Sequence, residues 1–89
     1  MKRTYGVGLS NGSCIFDMAT GFESIEEALS WGLGRGDAYN IFIDIDGKED
    51  GIPCDPINCD YDNNLSWFDG WKWVDLTFDE AVKFLRRYL

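Results

Sequence analysis

Histidine is absent from this sequence and bases are scarce: eight Lys and Arg stand against sixteen Asp and Glu, a formal charge of −8 at pH 7. The first absence removes the commonest general base, the Ser–His and Cys–His pairings and the commonest metal ligand. The second argues against a nucleic-acid binder, which needs surplus Lys and Arg to neutralise phosphates. It argues equally against attachment to an anionic membrane surface. No apolar run approaches the roughly eighteen residues of a spanning helix.

Cysteine is limited to Cys14, Cys54 and Cys59. No apolar stretch follows Met1-Lys2-Arg3, so reduced thiols and a cytoplasmic setting are expected, the host cytoplasm for a phage-encoded protein. Cys54 and Cys59 are spaced for a small disulfide, against which Pro56 and the unpaired Cys14 count. Three thiols without histidine would need a carboxylate or a distant fourth ligand to hold zinc, and neither a metal nor a cofactor is expected.

What the chain does contain is apolar and aromatic side chain, 45% and 16% of its 89 residues. That is enough to offset ordering entropy in one domain covering residues 1–89, and too short a chain for two cores. Ser10-Asn11-Gly12-Ser13 reads as a hairpin turn between strands Thr4–Leu9 and Ser13–Met18, because Asn-Gly tolerates positive φ at both central positions. Gly6 and Gly8 line one face of the first strand, leaving room for a neighbouring helix or chain, or else marking a thin edge strand. Ala19-Thr20-Gly21 ends the second strand. Ser24-Ile25-Glu26-Glu27 is a capping box, followed by the stripe Ile25, Ala28, Leu29 and Gly32, with Gly34 and Gly36 closing the helix. Trp31 falls off that stripe and either covers a core edge or faces a partner.

Residues Ala38–Asp46 alternate Tyr39, Ile41, Ile43 and Ile45 against Asn40, Asp44 and Asp46, which predicts a strand with one wet face. From Lys48 to Asn64 no period is visible, and a long loop is expected. Trp67-Phe68-Asp69-Gly70-Trp71-Lys72-Trp73 predicts an aromatic hairpin turning at Asp69-Gly70 and pairing Phe68 with Trp71. Thr77-Phe78-Asp79-Glu80 starts a second helix, with Phe78, Ala81, Val82, Leu85, Tyr88 and Leu89 on its apolar stripe and Lys83, Arg86 and Arg87 toward the negative end of its dipole. The expected fold is α+β, an antiparallel sheet of four to five strands with two helices on one face, in the order β-β-α-β-β-β-α.

Motifs for chemistry fail in detail. A calcium loop starting at Asp46 has Lys48 at its third position and Ile57 at its twelfth; one starting at Asp60 has Leu65 for the glycine and Trp71 at the twelfth. Neither glycine cluster opens a helix as a phosphate loop does. No enzyme is expected.

Charge is uneven. Residues 44–80 carry eleven acids against Lys48 and Lys72. The reading is a binding face of Asp44, Asp46, Glu49, Asp50, Asp55, Asp60, Asp62 and Asp69 gathered on one flank, with Tyr61, Trp67 and Trp71 as anchors. Such a face suits an inhibitor that covers the Lys/Arg-lined channel of a nucleic-acid-processing protein, a nuclease or CRISPR effector, carboxylates taking the places of phosphates. By analogy with other small acidic proteins, a phage or mobile-element factor of anti-CRISPR or anti-restriction type is expected, as a monomer or homodimer. The alternatives are an immunity protein against a nuclease toxin and an adaptor using a sheet edge or the aromatic hairpin.

Overall fold

A computed structural model of the chain describes residues 3–12, 14–36, 38–47 and 57–89. The elements run β1 (Tyr5–Ser10), β2 (Ile15–Phe22), α1 (Ile25–Gly32), β3 (Tyr39–Ile45), β4 (Ile57–Cys59), β5 (Leu65–Phe68), β6 (Trp73–Leu76) and α2 (Phe78–Tyr88). The strands form one antiparallel sheet in the order β2-β1-β3-β4-β5-β6. Strand alternation turns Val7, Leu9, Ile41, Ile43, Ile57, Cys59 and Leu65 to one face, where they bury against Ile25, Ala28 and Leu29 of α1 and Ala81, Val82 and Leu85 of α2. Both helices lie on that face, as the apolar stripes of the sequence require.

The sheet has six strands where four to five were expected. The additional one is β4, inside the segment read as a long loop, pairing Ile41↔Ile57 on one side and Cys59↔Leu65 on the other. β1 is not an edge strand: it lies between β2 and β3. On its glycine face the two positions differ. A β-carbon on Gly6 would lie 2.7 Å from Asp46 Oδ1 and 3.3 Å from Thr20 Cγ2, so the protein's own side chains close over it, whereas one on Gly8 would meet Ile15 Cδ1 at an ordinary 3.8 Å contact.

β2 also continues past the expected break at Ala19-Thr20-Gly21. Gly21 takes φ +88°, the left-handed conformation that inserts a bulge without ending the ladder. Pairing shifts between Val7↔Ala19 and Tyr5↔Phe22 at that point.

Helix starts follow the sequence closely. Ser24 Oγ accepts the Glu27 N–H at 3.1 Å, although Glu27 reaches back to the Glu23 N–H (3.4 Å) and not to Ser24 itself. Thr77 and Glu80 form the complete reciprocal box, at 3.2 and 3.0 Å. The helices run antiparallel, and Arg86 of α2 meets Glu26 of α1 at 2.6 Å across exposed surface, a pair worth under about 1 kcal/mol. Trp31 covers the core edge: it packs beside Phe22, with the Arg35 guanidinium 4.1 Å above its ring.

Candidate protein-binding surface

Because both helices occupy one face of the sheet, the opposite face is uncovered by any element among the described residues. Alternation places Met18, Phe42, Asp44, Ser66, Phe68, Trp73 and Asp75 there, with Asn58 donating to Asn40 Oδ1 (3.2 Å) across β3 and β4. The six strands contain no Lys or Arg. Their only charged residues are Asp17, Asp44 and Asp75. Described bases lie elsewhere: Arg3 precedes β1, Arg35 follows α1, Lys72 sits in a turn, and Lys83, Arg86 and Arg87 belong to α2.

The β5–β6 hairpin gives this face its aromatic character. It does not close as a two-residue turn. Phe68 pairs with Trp73 and Trp67 with Val74, so the connection holds four residues, Asp69 to Lys72, instead of two. The cause is Asp69, whose Oδ1 accepts the N–H groups of Trp71 (2.8 Å) and Lys72 (2.9 Å), while its own N–H donates to the Lys72 carbonyl at 3.0 Å. Those bonds, from Lys72 first and Trp71 second, hold the Asp69 carboxyl below its ordinary range. Trp71 rides at the tip of this braced turn, 92% exposed. Behind it Phe68 and Trp73 meet edge to face with centroids 5.4 Å apart, and remain 45% and 58% exposed.

Trp67, expected as an anchor, points the other way. It shares the inner row with Leu65 and packs on Phe84 of α2 at 4.5 Å between centroids. Its Nε1 is buried without a hydrogen-bond partner. Tyr61 is exposed, on the turn between β4 and β5.

The carboxylates do not gather on one flank. Antiparallel order puts Asp44, Asp46 and Asp69 at the end of the sheet where β3 finishes, and Asp60 and Asp62 at the end where β3 begins. A seven-residue strand separates the two groups by about 20 Å. Four of the five are also engaged internally. Asp46 Oδ2 accepts from Thr4 Oγ1 (2.7 Å) and Gly21 N–H (2.9 Å). Asp60 accepts from the N–H groups of Asn64 and Asp62, both at 2.9 Å, which lowers its pKa; Asp69 braces the hairpin turn. Asp44 Oδ1 takes the Ile45 N–H at 2.7 Å. Glu49, Asp50, Asp55 and Cys54 lie outside the described residues, and Cys59, spaced to pair with Cys54, is a free thiol.

A cleft of about 380 Å³ opens beside Asp60, Asn64, Leu65, Asp75 and Leu76. Among the described residues no group of Cys, Asp and Glu is placed to hold a metal ion, and no helix is long and apolar enough to cross a membrane. Phe68, Trp73 and Asp75 are the surface residues that the site reading omitted. Strand alternation beyond Asp69-Gly70 was the available signal.

No protein-family model matches the chain, no curated protein matches it and no solved structure matches it.

Proposed function

We propose that the protein acts by binding, as an acidic inhibitor that covers the basic nucleic-acid-binding surface of a nuclease or defence effector and denies it substrate, in the manner of anti-CRISPR or anti-restriction proteins. The observation that carries this reading is the combination of Trp71, Phe68 and Trp73, all exposed, with a sheet that bears acids but no base. Exposed aromatics of this kind anchor interfaces and slow dissociation, while a charge of −8 speeds encounter with a basic surface. The docking element is then the β5–β6 hairpin with the uncovered face behind it, and the acids at both ends steer.

The test is displacement. Purified nucleases and CRISPR effectors, each holding a fluorescent nucleic-acid substrate, are titrated with the protein. A true target releases its substrate, and the association rate falls steeply as salt is raised. If no basic effector loses its substrate, or if association with a target is indifferent to salt, the inhibitor reading is wrong.

The internal bonding of Asp46, Asp60 and Asp69 favours one alternative, an adaptor whose aromatic hairpin does the docking while charge serves solubility. Under that reading Trp71→Ala abolishes binding and charge reversal at Asp62 leaves it intact. Strand addition at β2 is disfavoured, since the Met18 N–H on this outermost strand is already taken by the Asp17 carboxylate at 2.9 Å.

A further inference from the structure

Resting on the reading of this face as a docking surface for a basic protein, we infer that it selects arginine over lysine, and that the occupant is an arginine-bearing segment of the partner. Phe68 and Trp73 present exposed ring surface, stacked edge to face at 5.4 Å. Asp75 stands two residues from Trp73 on the same strand and the same face, roughly 7 Å along it, and leads into the cleft it shares with Asp60. A flat cation fits that arrangement better than a round one. A guanidinium lies face-on against an aromatic ring while its edge donates two parallel hydrogen bonds to a carboxylate, whereas a lysine ammonium, compact and strongly hydrated, does neither as well.

The charge distribution supports the same occupant. None of the six strands carries a Lys or Arg, so the charge that the strands themselves place on this face, Asp44 and Asp75, is all negative. Elsewhere in the molecule, where an arginine is available, it stacks in this manner: Arg35 lies 4.1 Å above Trp31.

The test uses the full chain with fluorescent oligoarginine and oligolysine peptides of equal length and charge, read by anisotropy at about 0.15 M salt, where long-range attraction is screened. The expected result is binding of the arginine peptide about tenfold tighter than the lysine peptide. A Phe68→Thr/Trp73→Thr variant, which keeps strand propensity, loses that preference, and Asp75→Asn weakens the arginine peptide more than the lysine one. Unchanged thermal midpoints establish that both variants are folded. Equal affinity for the two peptides, or a preference that survives removal of both rings, overturns the arginine assignment and leaves the displacement test of the inhibitor reading standing. Failure of both peptides to bind also overturns it. Failure of displacement with the arginine preference intact instead removes the inhibitor reading and keeps the surface.

Discussion

Asp46 and Gly6 are locked together: Oδ1 of the aspartate occupies the space of a β-carbon on the glycine, 2.7 Å from where that atom would stand. The carboxylate is not free to retreat, because its other oxygen holds the Thr4 hydroxyl and the Gly21 N–H. Gly6→Ala is therefore expected to destabilise the protein by about 1–3 kcal/mol through overpacking. The two residues must also be coupled. In an Asp46→Ala background the same glycine substitution should lose most of its penalty, as measured by urea midpoints in a double-mutant cycle. Additive effects would show that the crowding does not come from Asp46.

Three surface carboxylates give the protein an acid-side instability of definite sign. Glu80 is held below its ordinary range by the Thr77 N–H and hydroxyl, Asp60 chiefly by the Asn64 N–H, and Asp69 by those of Lys72 and Trp71. A folded-state pKa below the unfolded one means that the native state binds fewer protons, so each contribution is complete above the ordinary carboxylate range and is lost as pH falls through the depressed values. Glu80→Gln, Asp60→Asn and Asp69→Asn keep an acceptor oxygen without a titrating group. The triple variant should lose less stability than the parent between pH 7 and about pH 3, across the carboxylate range, in urea titrations. Parallel pH profiles would remove these three from the account. Thr77→Ala, by contrast, should cost about 1 kcal/mol at neutral pH through loss of the cap.

How much of this was readable in the chain depends on the range of the interaction that decides each feature. The α2 stripe, both helix starts and the alternation of β3 are local patterns, and they place a sheet under two helices correctly. β4 is three residues long, too short to display a period, and exists because the sequence-distant β3 pairs it on one side, Ile41↔Ile57 and Tyr39↔Cys59, while β5 pairs Asn58 and Cys59 on the other. The second hairpin was misjudged because the turn preference of Asp-Gly is overridden by the Asp69 side chain, which widens the loop to serve two N–H groups. Exposure of Trp71 follows from that turn alone. Inward placement of Trp67 does not, since alternation offers an aromatic on each row, Trp67 beside Leu65 and Phe68 beside Ser66, and Phe84 of α2 decides between them. Separation of Asp44 from Asp60 likewise follows from strand order, which composition does not contain.

Cysteine reactivity should divide sharply. Cys59 is fully buried among core residues, with Sγ 3.7 Å from the Tyr39 hydroxyl, and burial pushes its thiol pKa up. Cys14 is exposed at the β1–β2 turn. Both are free thiols, and the thiolate is the reactive form. Under native conditions iodoacetamide should modify Cys14 readily and leave Cys59 untouched until denaturant is added, as read by peptide mapping. Equal labelling of the two in the folded protein would contradict the burial of β4. Tyr39→Phe removes the hydroxyl that donates to the Gly32 carbonyl (2.7 Å) and accepts from the Arg35 N–H (2.9 Å). It should both destabilise the protein, by about 1–3 kcal/mol for unpaired groups at the end of α1, and raise Cys59 labelling through local opening.

Trp67 and Trp71 of the aromatic hairpin should part company in every measurement. Trp67→Ala removes a half-buried ring packed on Phe84 at 4.5 Å and should cost about 1–3 kcal/mol, less than truncating a fully buried aromatic. Its buried Nε1 lacks a partner, so Trp67→Phe, which deletes that donor, should recover most of the loss. Trp71→Ala removes a side chain 92% exposed and should change stability by less than about 0.5 kcal/mol. Binding inverts the order: the Trp71 variant loses the partner while fully folded, because the ring lost is one that only a partner would bury. A Trp71→Ala protein that still displaces substrate at parental concentration would move the anchor away from the hairpin tip. A Trp67→Ala protein as stable as the parent would mean that α2 does not pack on β5.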